Sequence, residues 1–202
     1  WFGSSKGVNR KVPPPWTPIE MEQTRSMLSV NCWGREHRFK ANSILSQVTS
    51  QGTALLSEPV RVIATANSHK ISWRNSTLDC LSHAADQVVL VGSQSAKNLS
   101  LNIQTEIDFD GMIRFDVALI PSAPVKLESL ILEIPIRKEY AKYFFQYRGR
   151  AGSDTKIGRI PVKGLVKGFR PFVWIGDEER GLSWFAESND DWVNADPDSC
   201  IT

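Results

Sequence analysis

Cysteine, histidine and net charge are all scarce in this chain: three Cys, three His and a formal charge of +2 in 202 residues. Cys32, Cys80 and Cys200 are odd in number, widely spaced and form no Cys-x-x-Cys pair. That spacing argues against zinc, leaves one disulfide open and favours buried free thiols. His37, His69 and His83 lie on separate segments without metal-ligand spacing, so neither a metal nor a cofactor is expected. Lys and Arg are scattered and nearly balanced by Asp and Glu, which gives no electrostatic footprint for nucleic acid. No apolar run approaches the roughly 18 residues needed to span a bilayer as a helix, so no membrane partner is expected. A P-loop, a dinucleotide fingerprint and a nucleophile elbow are missing too. Gly149-Arg150-Ala151-Gly152 resembles a phosphate loop only on the surface, because no Lys-Ser/Thr ending follows it.

What is present reads as β structure. The chain is long enough for one large β domain or two small ones. Residues 1–20 are read as a lead-in, whose stretch 11–18 (KVPPPWTP) is too rich in proline for a helix. Short candidate strands follow near 26–32, 35–40, 44–49, 53–56, 60–66 and 69–74, separated by Gly, Asn, Ser and Pro. Turn signals every 8 to 12 residues predict an all-β, antiparallel β-sandwich over residues 21–190. The polar stretch 191–202 reads as a linker. Both ends look cut, so the chain is expected to be a segment of a longer protein.

The middle carries the cleanest alternation. Leu99, Leu101, Ile103, Thr105, Ile107 and Phe109 alternate with polar residues, and Ile113, Phe115, Val117 and Leu119 resume the pattern after Asp110-Gly111. Pairing Ile113 with Phe109 and Phe115 with Ile107 puts both apolar rows on one face, through a loop at 110–112 with Gly111 at positive φ. A tight two-residue turn would put the rows on opposite faces. Leu130, Leu132, Ile134 and Ile136 predict a third strand of the same wall, with Pro135 marking an edge or a strand end. Tyr140, Tyr143, Phe144 and Tyr147 recur at spacings of three and four, which predicts a short helical segment near 138–147. Residues 148–168, rich in Gly and basic side chains, predict a long surface excursion.

Phe169 to Ser188 (FRPFVWIGDEERGLSWFAES) is the most informative stretch. Two apolar, aromatic runs flank Gly176-Asp177-Glu178-Glu179-Arg180-Gly181, a pattern that predicts a hairpin with a longer loop. Adjacent carboxylates on one exposed turn seldom have the opposed environments of a general acid and base. A solvated turn partly neutralised by Arg180 is therefore favoured over catalysis. Glu187 is the better candidate for a buried, paired carboxylate, but nothing names its partner. Trp174 and Trp184 suit either a core or a sugar-stacking surface, and core is favoured. Trp33-Gly34-Arg35 fits a β-bulge with a Trp–Arg stack.

Three blocks together resemble a known module: Trp33-Gly34-Arg35-Glu36-His37-Arg38-Phe39, Leu130 to Ile136 followed by Arg137-Lys138-Glu139-Tyr140-Ala141, and Phe172 to Ser188. They are similar to the N-terminal β-sandwich domain of glycoside hydrolase family 123 proteins, with His37 where an aromatic is expected. The resemblance implies a parent that is a retaining N-acetyl-β-galactosaminidase whose catalytic Asp-Glu pair lies on a (β/α)8 barrel. No residue of this chain matches that pair, so no catalytic residue is carried over. It implies a non-catalytic accessory domain packed on a C-terminal barrel, with a secreted, periplasmic or outer-surface location by family habit. The alternative is a stand-alone carbohydrate-binding module using Trp174, Asp177, Glu178, Arg180 and Trp184. A self-contained enzyme built on Glu187 and the acidic loop is a third, weaker reading.

Overall fold

The computed structural model describes residues 10–41, 44–147, 156–162, 164 and 170–186. Every regular element among them is a β-strand, and every pairing is antiparallel. The chain falls into two compact units, Trp1–Pro135 and Ile136–Thr202.

In the first unit β1 (Glu20–Gln23), β2 (Leu28–Cys32), β3 (Arg35–Phe39), β4 (Gln47–Ser50) and β5 (Thr53–Ala54) form a meander in sequence order. Tight turns set it. Gly34 takes φ +71° between the paired residues Cys32 and Arg35, and Gln51-Gly52 take +47° and +77° between Ser50 and Thr53, the left-handed pair that suits a hairpin's twist. Trp33-Gly34 is thus a hairpin turn, not the expected bulge. Trp33 meets Trp16 edge-on at 6.3 Å, while Arg35 Nη1 donates to the Asp110 carbonyl at 2.7 Å. Leu28, Val30, Phe39, Leu55 and Leu56 are at most 1% exposed, and each such side chain contributes about 1.5–3 kcal/mol of burial.

Four strands make the second sheet: β8 (Arg74–His83), β9 (Gln87–Ala96), β10 (Leu99–Asp108) and β11 (Ile113–Pro121), in the order β11-β10-β9-β8. The 99–119 alternation does form one hairpin with both apolar rows on one face, but the register differs from the expectation by two residues. Ile107 pairs with Ile113 and Thr105 with Phe115. An even shift keeps each side chain on its face. The wider loop is fixed by the Asp108 N–H donating to the Met112 carbonyl at 3.0 Å, with Gly111 at φ +84° as expected. A third sheet holds β6 (Arg61–Ala66), β7 (His69–Lys70) and β12 (Ser129–Glu133), ordered β12-β6-β7. β12 is an edge strand, as Pro135 indicated, but it pairs with β6 and not with the 99–119 hairpin.

The second unit is one sheet of β13 (Tyr143–Tyr147), β14 (Lys156–Arg159), β15 (Phe172–Gly176) and β16 (Gly181–Phe185), in the order β14-β13-β15-β16. The helical segment expected near 138–147 is absent. Only a turn is present, with Tyr140 N–H donating to the Arg137 carbonyl at 3.0 Å, and the chain then enters β13. Aromatic side chains fit a pleated strand as well as a helix, and pairing on both sides of β13 decides between them. The excursion expected over 148–168 contains β14; residues 148–155, 163 and 165–168 lie outside the described residues. All-β antiparallel architecture therefore holds, while the two facing walls of a sandwich are replaced by four sheets. Short turns confine most pairing to neighbours in the chain, so no sheet among the described residues grows beyond five strands.

Candidate functional site

The 172–185 hairpin forms where the composition indicated. Phe172 pairs with Phe185, Val173 with Trp184, Trp174 with Ser183 and Gly176 with Gly181. This register puts Trp174 and Trp184 on opposite faces, because side chains alternate along a strand. Trp184 shares its face with the buried Val173, and Trp174 shares its own with Phe172 and Phe145, whose rings meet edge-on at 5.9 Å. The glycine pair makes room for the Trp174 indole: a Cβ on Gly181 would stand 2.7 Å from its Cε2 and Nε1, and one on Gly176 would collide with the same ring.

Every carboxylate of the loop Asp177–Arg180 is engaged. Asp177 Oδ1 accepts from the N–H groups of Glu179 and Arg180, both at 2.9 Å, and its own N–H donates to the Arg180 carbonyl at 2.8 Å. These backbone bonds hold the Asp177 carboxyl below its usual range. Glu178 accepts from the Tyr143 hydroxyl at 2.7 Å and from Lys142 Nζ at 3.1 Å. The Tyr143 bond, helped by Lys142, pulls its carboxyl down to about 2 and in turn pushes the Tyr143 and Lys142 groups up. Glu179 pairs with Arg180, whose guanidinium lies 5.7 Å from the centre of the Tyr140 ring. A general acid needs a raised carboxyl; Asp177 and Glu178 have the reverse. Tyr143 and Lys142 are the partners that the sequence reading missed, since only the pairing of Tyr143 with Gly176 brings them to this loop. Glu187 and Cys200 lie outside the described residues.

Cys32 and Cys80 are free thiols, Cys32 buried and Cys80 half-buried. Burial pushes the Cys32 thiol up to about 11, which makes it inert. Among the described residues no three His, Cys, Asp or Glu side chains come together as metal ligands would. The unusual surface is apolar. On the edge strand β11 Val117 and Ile120 are 46% and 48% exposed, and on the edge strand β12 Leu130 and Ile131 are 53% and 50% exposed.

Comparison with known proteins gives one result and one blank. The family whose model matches is described as glycoside hydrolase 123, third domain, over residues 22–190. No curated protein matches the chain. The family is the one indicated by the three sequence blocks, although those blocks pointed to its N-terminal domain where the matched description gives the third. The match takes in all three blocks, most of the chain and strands of both compact units, and the chain therefore belongs to glycoside hydrolase family 123.

Proposed function

We propose that this chain is a non-catalytic accessory domain of a glycoside hydrolase, packing on another domain of the same enzyme through its apolar edges. The observation that carries the reading is that two edge strands leave apolar side chains exposed: Val117 and Ile120 on β11, and Leu130 and Ile131 on β12, in each strand one side chain to either face. Proteins usually blunt their edge strands with charge or cover them, so an apolar edge strand left open is a place for a partner domain to cover. The partner implied by the family resemblance is a (β/α)8 barrel. The carbohydrate-binding alternative draws less support, because Trp174 and Trp184 face opposite ways and the oxygens of Asp177 and Glu178 already accept hydrogen bonds.

The test uses the full-length enzyme carrying Val117→Lys and Ile120→Lys together. Both side chains are half-exposed here, so the domain itself should still fold. Loss of their contacts with a partner domain should cost about 1–3 kcal/mol per side chain and split calorimetric unfolding into separate domain transitions. A single transition at the unaltered temperature would sink the packing role of β11.

A further inference from the structure

The first unit contains a cleft of about 500 Å³ that the packing role does not use. Ile44, Val62 and Ile71 give it apolar walls, Trp73 an aromatic one, and Arg61 and Lys70 charge. That size and mixture are those of a small-molecule site. The Trp73 indole is fixed by its Nε1–H, which donates to the Val62 carbonyl at 3.0 Å.

Gln94 is the informative residue. It stands in the inner row of β9, where Val88 and Leu90 are wholly buried, and is itself 6% exposed. Its amide makes no hydrogen bond among the described residues, yet it lines the cleft. A leucine there would continue the apolar row, so the amide brings two donors and an acceptor to a place where the fold does not use them. The two cations differ. Arg61 is already held by Glu133 at 2.6 Å and Glu58 at 2.9 Å, whereas Lys70 makes no ion pair among the described residues. The charge open to a ligand is therefore the ammonium of Lys70.

We propose that this cleft binds an acidic sugar residue, a uronate, with its ring against Trp73, hydroxyls on the Gln94 amide and its carboxylate on Lys70. A pyranose presents an apolar face to an aromatic ring, and an amide both donates to and accepts from sugar hydroxyls. A lysine recognises a carboxylate as a point charge. The site would give a glycoside hydrolase a hold on an acidic glycan. It goes beyond the packing role, and none of its residues is changed in the test of that role.

Titration calorimetry of the full chain with unsulfated chondroitin tetrasaccharide and with neutral cellotetraose tests the assignment. The uronate-bearing probe should bind saturably and the neutral one about tenfold more weakly, the difference that one charge-assisted hydrogen bond makes. Gln94→Leu should still fold, because it continues the apolar row of β9, and should bind the acidic probe at least about tenfold more weakly. Lys70→Gln should bring the acidic probe down to the affinity of the neutral one. Three results would each overturn the proposal: no saturable heat with the acidic probe up to about 10 mM, native affinity in a folded Gln94→Leu, or equal affinity for both probes that Lys70→Gln leaves unchanged.

Discussion

The acidic loop and the cleft show opposite relations between charge and availability. Asp177, Glu178, Glu179 and Arg180 make the most charged run of the hairpin, yet each is engaged by backbone, by Tyr143 and Lys142, or by its neighbour. The cleft offers one amide and one ammonium, and neither has a partner among the described residues. The loop's carboxylate oxygens already accept hydrogen bonds, whereas the Gln94 amide faces the open cleft. Groups already saturated hold a fold in place. A polar group left open in an apolar row is the better sign of a ligand.

The largest effect expected from breaking this contrast lies at Gly181. If the loop is a structural corner, its glycine pair is required by the Trp174 ring. Gly181→Val would drive its Cβ to within 2.7 Å of Trp174 Cε2 and Nε1, and overpacking of that kind should destabilise by about 2–3 kcal/mol. Urea unfolding measures it. A cost near zero would mean that the hairpin yields easily and that its rigidity has been overstated.

His37 sharpens the contrast from the other side, as a buried polar group without a cleft. It is 2% exposed, its Nδ1 lacks a partner, and it pairs with Val30 and Val48 on the two neighbouring strands. Burial, assisted by the charge of Arg35, pushes it down from 6.5 to about 4. Its folded pKa lies below the unfolded one, so the unfolded chain takes up the proton first as pH falls. Stability is then complete above pH 6.5 and declines towards pH 4, by roughly 3 kcal/mol in all. His37→Phe should abolish that loss, and chemical unfolding at pH 7 and pH 4.5 would detect it. An undiminished loss in the variant would assign the acid sensitivity to other groups.

Legibility followed the same division. The alternation from Leu99 to Leu119 gave the strand type, the shared face and the freedom of Gly111, because burial of one face imposes a period of two. It missed the register by two because the hydrogen bond from Asp108 to Met112, not the apolar pattern, sets the loop. β8 was not seen because much of it is polar, nor β9, because Val88, Val89, Leu90 and Val91 run together without alternation. The unassigned β9 concealed the cleft, since Gln94 lies on it. The hairpin loop was legible as a loop. Its chemistry was not, because the Tyr143 that holds Glu178 lies 35 residues earlier in the chain.

The smallest effect belongs to Glu178, and its size is part of the argument. Its carboxyl is lowered from 4.5 to about 2, so its bonds to Tyr143 and Lys142 stabilise the fold above pH 4.5 and are lost as pH falls through 2. The side chain is 60% exposed, and solvent and salt screen such pairs heavily. Glu178→Gln should therefore melt only slightly below the native chain at pH 7. That gap should narrow in high salt and close as pH approaches 2, where the native carboxylate is itself protonated. Thermal melts over that range decide the matter. A gap that persists in acid and in salt would mean that the loop is held by shape and not by charge. A large gap at pH 7 would make this exposed carboxylate more than a partner in a satisfied turn, and the distinction between loop and cleft would have to be drawn elsewhere.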